Sequence, residues 1–167
     1  MRKVELVADG DVISYMFKCT PLGDSYAELI GTRPTGITLL AVSESRQGVV
    51  YSNWGMTKLK DLDAFLGNFV LLESNAEIAN VCGGLLGRCK QIGRALSWPD
   101  AWAAATAIWL DVPLVTHDRD LERVPDLRVL TLHEHWEVRE EGIGERMGGP
   151  LWLSQRSPEY HHENVRW

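Results

Sequence analysis

Residues 4–13, Val-Glu-Leu-Val-Ala-Asp-Gly-Asp-Val-Ile, constrain the chain more than any other stretch. They begin as an apolar run that reads as a buried strand. The run stops at two carboxylates, Asp9 and Asp11, with only Gly10 between them, and aliphatic residues resume at once with Val12 and Ile13. A strand that ends in acids at its carboxyl tip belongs in an open α/β sheet, which gathers its chemistry outside the carboxyl ends of its strands. Which other acids converge on that tip decides what such a chain can do.

Apolar runs of strand length stand at 3–8, 37–40, 69–72, 114–116 and 128–132. Helical patterns lie between them. Short ones are expected at 12–17 and 25–30, with Pro21, Gly23 and Asp24 as a break. A helix over 41–51 carries Glu44. Thr57 is expected to cap 58–67, and Ser74 or Asn75 to cap a long pattern reaching Ile92. Gly83, Gly84 and Gly87 weaken that long pattern and suggest close packing there. Ser97-Trp-Pro-Asp100 opens the clearest helix, 98–110, with proline in its first turn. A helical turn is expected at 121–124. Strands alternating with helices imply an α/β fold with a parallel sheet of about five strands and right-handed crossovers.

The 167 residues suit one domain with an appendage. The division is at residue 132, with 133–167 as a C-terminal extension rich in glycine, charge and tryptophan. No apolar run is long enough to span a membrane, and Met1-Arg2-Lys3 leads straight into strand pattern without a signal peptide, so a cytoplasmic protein is expected. Cys19, Cys82 and Cys89 have no paired short spacing, and Cys82 and Cys89, seven apart, read as buried apolar residues of one helix face. The net charge of −6 argues against broad electrostatic binding of nucleic acid. It leaves a nuclease open, because an acidic site filled by a divalent cation accepts phosphate.

Four acids occupy similar places: Asp9 after the first strand, Glu44 after the second, Asp100 in the first turn of a helix and Asp118 after the fourth strand. With strands one and four adjacent, Asp9 and Asp118 flank the switch-point crevice, within reach of Glu44 and Asp100. Carboxylates crowded in one crevice persist as anions only beside a cation, and an all-oxygen donor set suits Mg²⁺ or Mn²⁺. Each acid also has a plain structural reading. Asp100 completes a capping box with Ser97, Asp118 caps the turn at Leu121, and Asp9 and Asp11 are turn residues around Gly10. Their joint order makes the case.

Leu-Val-Ala-Asp9-Gly-Asp11-Val-Ile-Ser-Tyr, Ser-Glu44-Ser-Arg-Gln-Gly48, Trp-Pro-Asp100-Ala-Trp-Ala-Ala-Ala-Thr-Ala and Pro-Leu-Val-Thr116-His-Asp118-Arg-Asp120-Leu-Glu-Arg-Val-Pro together resemble the PIN-domain ribonucleases. Within these they resemble the VapC-type toxins of toxin–antitoxin pairs, over residues 4–132. The resemblance implies a PIN-like α/β/α sandwich and a metal-dependent endoribonuclease using Mg²⁺ or Mn²⁺. Asp9, Glu44, Asp100 and Asp118 match the family's acidic quartet, Thr116 a hydroxyl that holds the first aspartate, and Asp120 an additional acid. A homodimer and a small cognate antitoxin are implied as partners, with RNA as substrate. One departure is Asp11, where the family has asparagine or serine. It either joins the metal's surroundings through water or weakens activity by repelling phosphate. A housekeeping PIN nuclease without antitoxin and a catalytically silent PIN-like module are the alternative readings.

Arg46 and Arg119 stand near Glu44 and beside Asp118, where a phosphate or a neighbouring carboxylate is an equal candidate partner. Arg88, Lys90 and Arg94 read as a solvated basic face. Trp98, Trp102 and Trp109 share one helical face and read as core packing or a dimer contact rather than a base-stacking surface. His133, His135, His161 and His162 do not make a zinc site with the available cysteines.

Overall fold

A computed structural model of the chain describes residues 4–133. The extension from residue 134, with His135, His161, His162 and three of the tryptophans, lies outside the described residues. The elements run β1 (Leu6–Ala8), α1 (Gly10–Phe17), α2 (Pro21–Ile30), β2 (Thr35–Thr38), α3 (Leu39–Tyr51), α4 (Met56–Leu66), β3 (Val70–Leu72), α5 (Ala76–Gln91), α6 (Trp98–Leu110), β4 (Leu114–Val115) and β5 (Val129–Leu130), with a 3₁₀ turn at Leu121–Arg123. All strand pairs are parallel, in the order β3-β2-β1-β4-β5. The expected five-stranded parallel α/β fold is therefore the fold observed.

Strand alternation divides the core. Side chains of neighbouring strand residues point to opposite faces. On β1, Val7 packs with Ile78, Cys82 and Leu85 of α5 and the alanines of α6. Leu6 faces the other way, against Val12 and Met16 of α1 and Tyr26 and Ala27 of α2. Ala8, on the same side as Leu6, meets Ile13, Ile37, Val49 and Leu62. Two helical layers thus cover the two faces of one sheet. In α6, Ala101, Ala103, Ala104, Ala105 and Ala107 are all buried, and side chains this small let the helix lie close to the sheet.

Several boundaries differ from the sequence reading. Pro21 and Gly23 do not break a helix but begin one. Thr20 caps α2 by accepting from Gly23 N–H at 3.0 Å, and Pro21 sits where its missing N–H has no cost. Gly23 is needed there because an added Cβ would lie 2.1 Å from the Tyr15 carbonyl oxygen. β2 ends at Thr38, whose hydroxyl caps α3 by accepting from Ala41 N–H, so Leu39 and Leu40 are helical and Leu39 is exposed. Gly55, without a side-chain cap, precedes α4, and Thr57 lies inside it. The glycines of α5 serve no close packing, since a Cβ at Gly83 or Gly87 would meet nothing within 4 Å.

Cys82 and Cys89 are buried on one face of α5, as expected. The three α6 tryptophans part ways: Trp102 packs on the core, whereas Trp98 and Trp109 are exposed. Among the described residues no helix is long and apolar enough to cross a membrane.

Candidate active site

β1 lies between β2 and β4, so the chain leaves β1 in one direction and later returns to its other side. The crevice at such a reversal is where α/β sheets bind ligands. Asp9 extends the ladder one residue past β1, its N–H donating to Val115 O at 3.0 Å. It caps α1, accepting from Gly10 N–H at Oδ1 (2.8 Å). Its Oδ2 accepts from the Thr116 hydroxyl at 2.9 Å. That hydroxyl in turn accepts from Asp118 N–H at 3.1 Å. One threonine therefore ties the strand-one acid to the loop carrying the strand-four acid.

A cleft of about 540 Å³ opens over this junction, and Asp9, Asp11, Glu44, Asp100 and Asp118 all line it. The four acids expected to converge do so. Glu44 comes from α3 and lies against the start of α1, with its Oε2 2.8 Å from where a Cβ on Gly10 would be. Asp100 keeps its structural role as well: Ser97 Oγ accepts from Asp100 N–H at 3.2 Å and donates to Asp100 Oδ2 at 2.6 Å. The capping reading and the cleft reading both hold for this residue.

Asp11 is tied down more firmly than its sequence suggested. One oxygen accepts from Val12 N–H at 2.5 Å and the other from His117 N–H at 3.0 Å. Its carboxylate thus staples the first turn of α1 to the loop after β4 while still facing the cleft. The Asp120 side chain does not line this cleft but a separate recess with Arg94 and Arg123. Its contribution is through the backbone, with Asp120 N–H donating to Asp118 Oδ1 at 2.8 Å. Arg46 pairs with Asp63 of α4 at 2.7 Å, and neither Arg46 nor Arg119 lines the cleft.

Burial and crowding raise the proton affinity of Asp9, Asp11 and Glu44. Asp9, only 4% exposed, is pushed up to about 8, first by burial and then by the Asp11 and Asp100 charges, against the pull of Thr116 and Gly10. Asp11 is raised to about 6 by burial, opposed by the His117 and Val12 N–H groups and aided by Asp118 and Asp100. Glu44 is raised too, by desolvation, then Asp100 and Asp11. A divalent cation is the partner that such a carboxylate set fits. As the side chains stand, no group of three or more His, Cys, Asp or Glu among the described residues is arranged to hold an ion. The acids line one cleft without closing into a cage.

The cleft also contains residues that the sequence reading passed over. Besides Asp11, Ser14 and Tyr15 of α1 and Lys18 at its C-cap line it, while Val12, Ile13 and Met16 are buried beneath. Positions 11, 14, 15 and 18 are one helical face, so the polar periodicity was the available signal. His117 stands between Tyr15 and Tyr26, with edge-on ring contacts at 5.7 Å to each. Tyr26 Oη donates to Thr116 O at 3.0 Å and accepts from Leu132 N–H at 3.3 Å. Its single proton being spent on the carbonyl, the 2.8 Å contact with His117 is donated by Nδ1. Burial, then the nearby His133 and Arg119, lower the His117 pKa, which favours the neutral ring. His133 packs against it at a tilt, ring centres 4.2 Å apart and planes inclined by 52°.

Trp54 reaches the cleft from the α3–α4 link. Asn53, at φ 52°, closes α3 in the left-handed region. Asn53 N–H donates to Val50 O at 3.0 Å and Trp54 N–H to Val49 O at 3.1 Å. This pair of bonds is a Schellman motif, which turns the chain back and lays the residue after the turn on the helix end.

The family model of the PIN domain matches residues 6–127. No curated protein sequence matches the chain. Among solved structures, the fold is similar to VapBC2 from Rickettsia felis bound to a promoter DNA fragment, at TM-score 0.69 and 22% identity, covering 77% of this chain and 98% of that one. VapBC-1 from nontypeable Haemophilus influenzae aligns at TM-score 0.66 and 21% identity over the same shares. VapBC-5 from Mycobacterium tuberculosis, of the VapBC family of toxin–antitoxin systems, aligns at 0.57 and 19%, again over 77% and 98%. At these identities the likeness is one of fold.

Proposed function

Because the chain belongs to the PIN domain family, whose members are generally nucleases, we propose that it is a metal-dependent endoribonuclease, acting as the toxin of a VapBC-like toxin–antitoxin pair. The observation that carries this reading is the convergence of five carboxylates on one switch-point cleft, with Asp9 buried and its proton affinity raised. Such a group is stabilised as an anion set by a divalent cation. Asp9, Glu44, Asp100 and Asp118 would hold Mg²⁺ or Mn²⁺. When bound, such an ion activates water and offsets charge on a phosphodiester undergoing in-line attack.

The chain's own groups orient this set. The Thr116 hydroxyl holds Asp9 Oδ2 and accepts from Asp118 N–H, fixing the spacing of two ligands. Ser97 Oγ fixes Asp100 through its donated bond. Asp11, bonded to the His117 N–H, keeps the Thr116–Asp118 loop against α1. The toxin assignment draws on the shared fold of toxin–antitoxin structures. By that reading the partners are RNA, a small antitoxin and a second copy of the chain, and the protein works in the cytoplasm. Asp9→Ala and Asp118→Ala should each abolish RNA cleavage and growth arrest in an induced culture while the proteins stay folded. Undiminished cleavage by purified Asp9→Ala protein would sink the assignment.

A further inference from the structure

The acids account for only part of the cleft. Phe17, Lys18 and Trp54 line the same cavity, over the apolar side chains of Ile13 and Leu62. Trp54 is held from several sides. Its backbone is fixed by the Schellman turn, its ring meets Phe17 at 6.0 Å, and the Lys58 ammonium sits 4.9 Å over it. Phe17 is backed by Phe65 at 5.4 Å, and Phe65 by Phe69 at 5.3 Å. An aromatic ladder therefore runs from the core to the cleft wall and ends in an indole that lines a polar cavity. Burial of the α1 end lowers the Lys18 pKa to about 8, as expected for an ammonium partly withdrawn from water. Neither metal binding nor phosphodiester chemistry needs this arrangement.

An aromatic ring and an ammonium lining one cavity, as Trp54 and Lys18 do, are the two elements by which proteins bind single-stranded nucleic acid, one stacking a base and the other meeting the backbone. They also remedy a defect of the acidic cleft, which by itself repels a polyanion. The cavity volume falls in the range of about 300–1,000 Å³ typical of small-ligand sites. We propose that Trp54 and Lys18 form a nucleotide subsite beside the acids: a base of single-stranded RNA stacks on the Trp54 indole, and an adjoining phosphate is met by Lys18. The proposal rests on the ribonuclease reading, and it names which part of that substrate the cleft grips.

Binding is measured separately from cleavage by using the full-length Asp118→Asn protein with Mg²⁺. The probe is a fluorescein-labelled single-stranded RNA of about ten nucleotides, with a series lacking one base at a time. Trp54→Ala should weaken binding about tenfold and Trp54→Phe much less. Lys18→Gln should weaken it and lower the slope of log affinity against log salt by about one. One abasic position should reproduce the Trp54→Ala loss and add nothing to it. Binding within twofold of the parent for both Trp54→Ala and Lys18→Gln overturns the proposal, as does an RNA that does not bind at all. Should Trp54→Ala fail to fold, Lys18→Gln and the abasic series on the parent decide, and no loss in either overturns it. The two readings fail differently. Wild-type protein that binds RNA in this Trp54-dependent way but does not cut it refutes the nuclease, whereas cutting with unchanged variant binding refutes the subsite.

Discussion

The Thr116 hydroxyl donates to Asp9 Oδ2 at 2.9 Å, joining the tips of β1 and β4 across the point where the sheet order reverses. Thr116 is fully buried, so its two hydrogen bonds have no water to replace them. Thr116→Val keeps the shape and removes both. It should cost about 1–3 kcal/mol in denaturant unfolding, because buried groups are left unpaired, and should lower cleavage by misplacing Asp9. Thr116→Ser should restore most of both. Equal stability of the Val and Ser variants would contradict this account.

The raised acids make stability depend on pH in a definite direction. An acid whose folded pKa lies above its unfolded value binds its proton more tightly when folded, so folding loses stability as pH rises through that window. For Asp11 and Asp9, raised to about 6 and about 8, the metal-free protein should melt progressively lower as pH climbs from about 5 to about 8. Saturating Mn²⁺ should flatten the slope, since it stabilises the ionised form. Asp9→Asn should raise the metal-free melting temperature at the alkaline end. Scanning calorimetry with and without chelator reads all three, and a metal-free profile rising with pH would refute them.

Gly10 and Glu44 should separate activity from stability. A Cβ at position 10 would stand 2.8 Å from Glu44 Oε2. The atom in the way is the end of a flexible side chain, so Gly10→Ala displaces the carboxylate rather than the backbone. Cleavage should fall at least tenfold while unfolding free energy changes by less than about 1 kcal/mol. In a Glu44→Ala background the same change should have no further effect on cleavage. Additive losses would show that Gly10 serves something else.

Gly83 and Gly87 should improve the protein when replaced. Both are exposed inside α5 and face open space, where glycine costs backbone entropy relative to alanine. Each Gly→Ala substitution should stabilise by about 0.5–1 kcal/mol without altering cleavage. A loss of stability in urea titration would reveal a constraint on α5 that its surroundings do not explain.

What the sequence disclosed follows from which signals are local. Strand tips are marked by the end of an apolar run, so Asp9 and Asp118 could be read, and the helix starts next to strands or caps carried Glu44 and Asp100. The cap at Ser97 was visible as a spacing. Trp54 was not, because its direction comes from the left-handed turn at Asn53, and asparagine there has no periodicity to announce it. Pro21 and Gly23 misled for a related reason. Breakers inside a helix and starters at its first turn are the same residue types, and only the crossing of Gly23 over the Tyr15 carbonyl distinguishes them. Asp11 was legible as an acid of the tip, but its bond to His117 N–H is a long-range contact across 106 residues that no local pattern contains.

The tilted ring contact of His133 with His117 has a practical side. His133 also bonds to Glu122, and the backbone of its neighbour Leu132 reaches Tyr26. Residue 133 is therefore an anchorage, and a truncation made before it removes the ring that packs against His117 of the cleft wall. An environment-sensitive dye attached near residue 133 would sit beside the loop carrying Asp118, and would serve as an optical reporter of what enters.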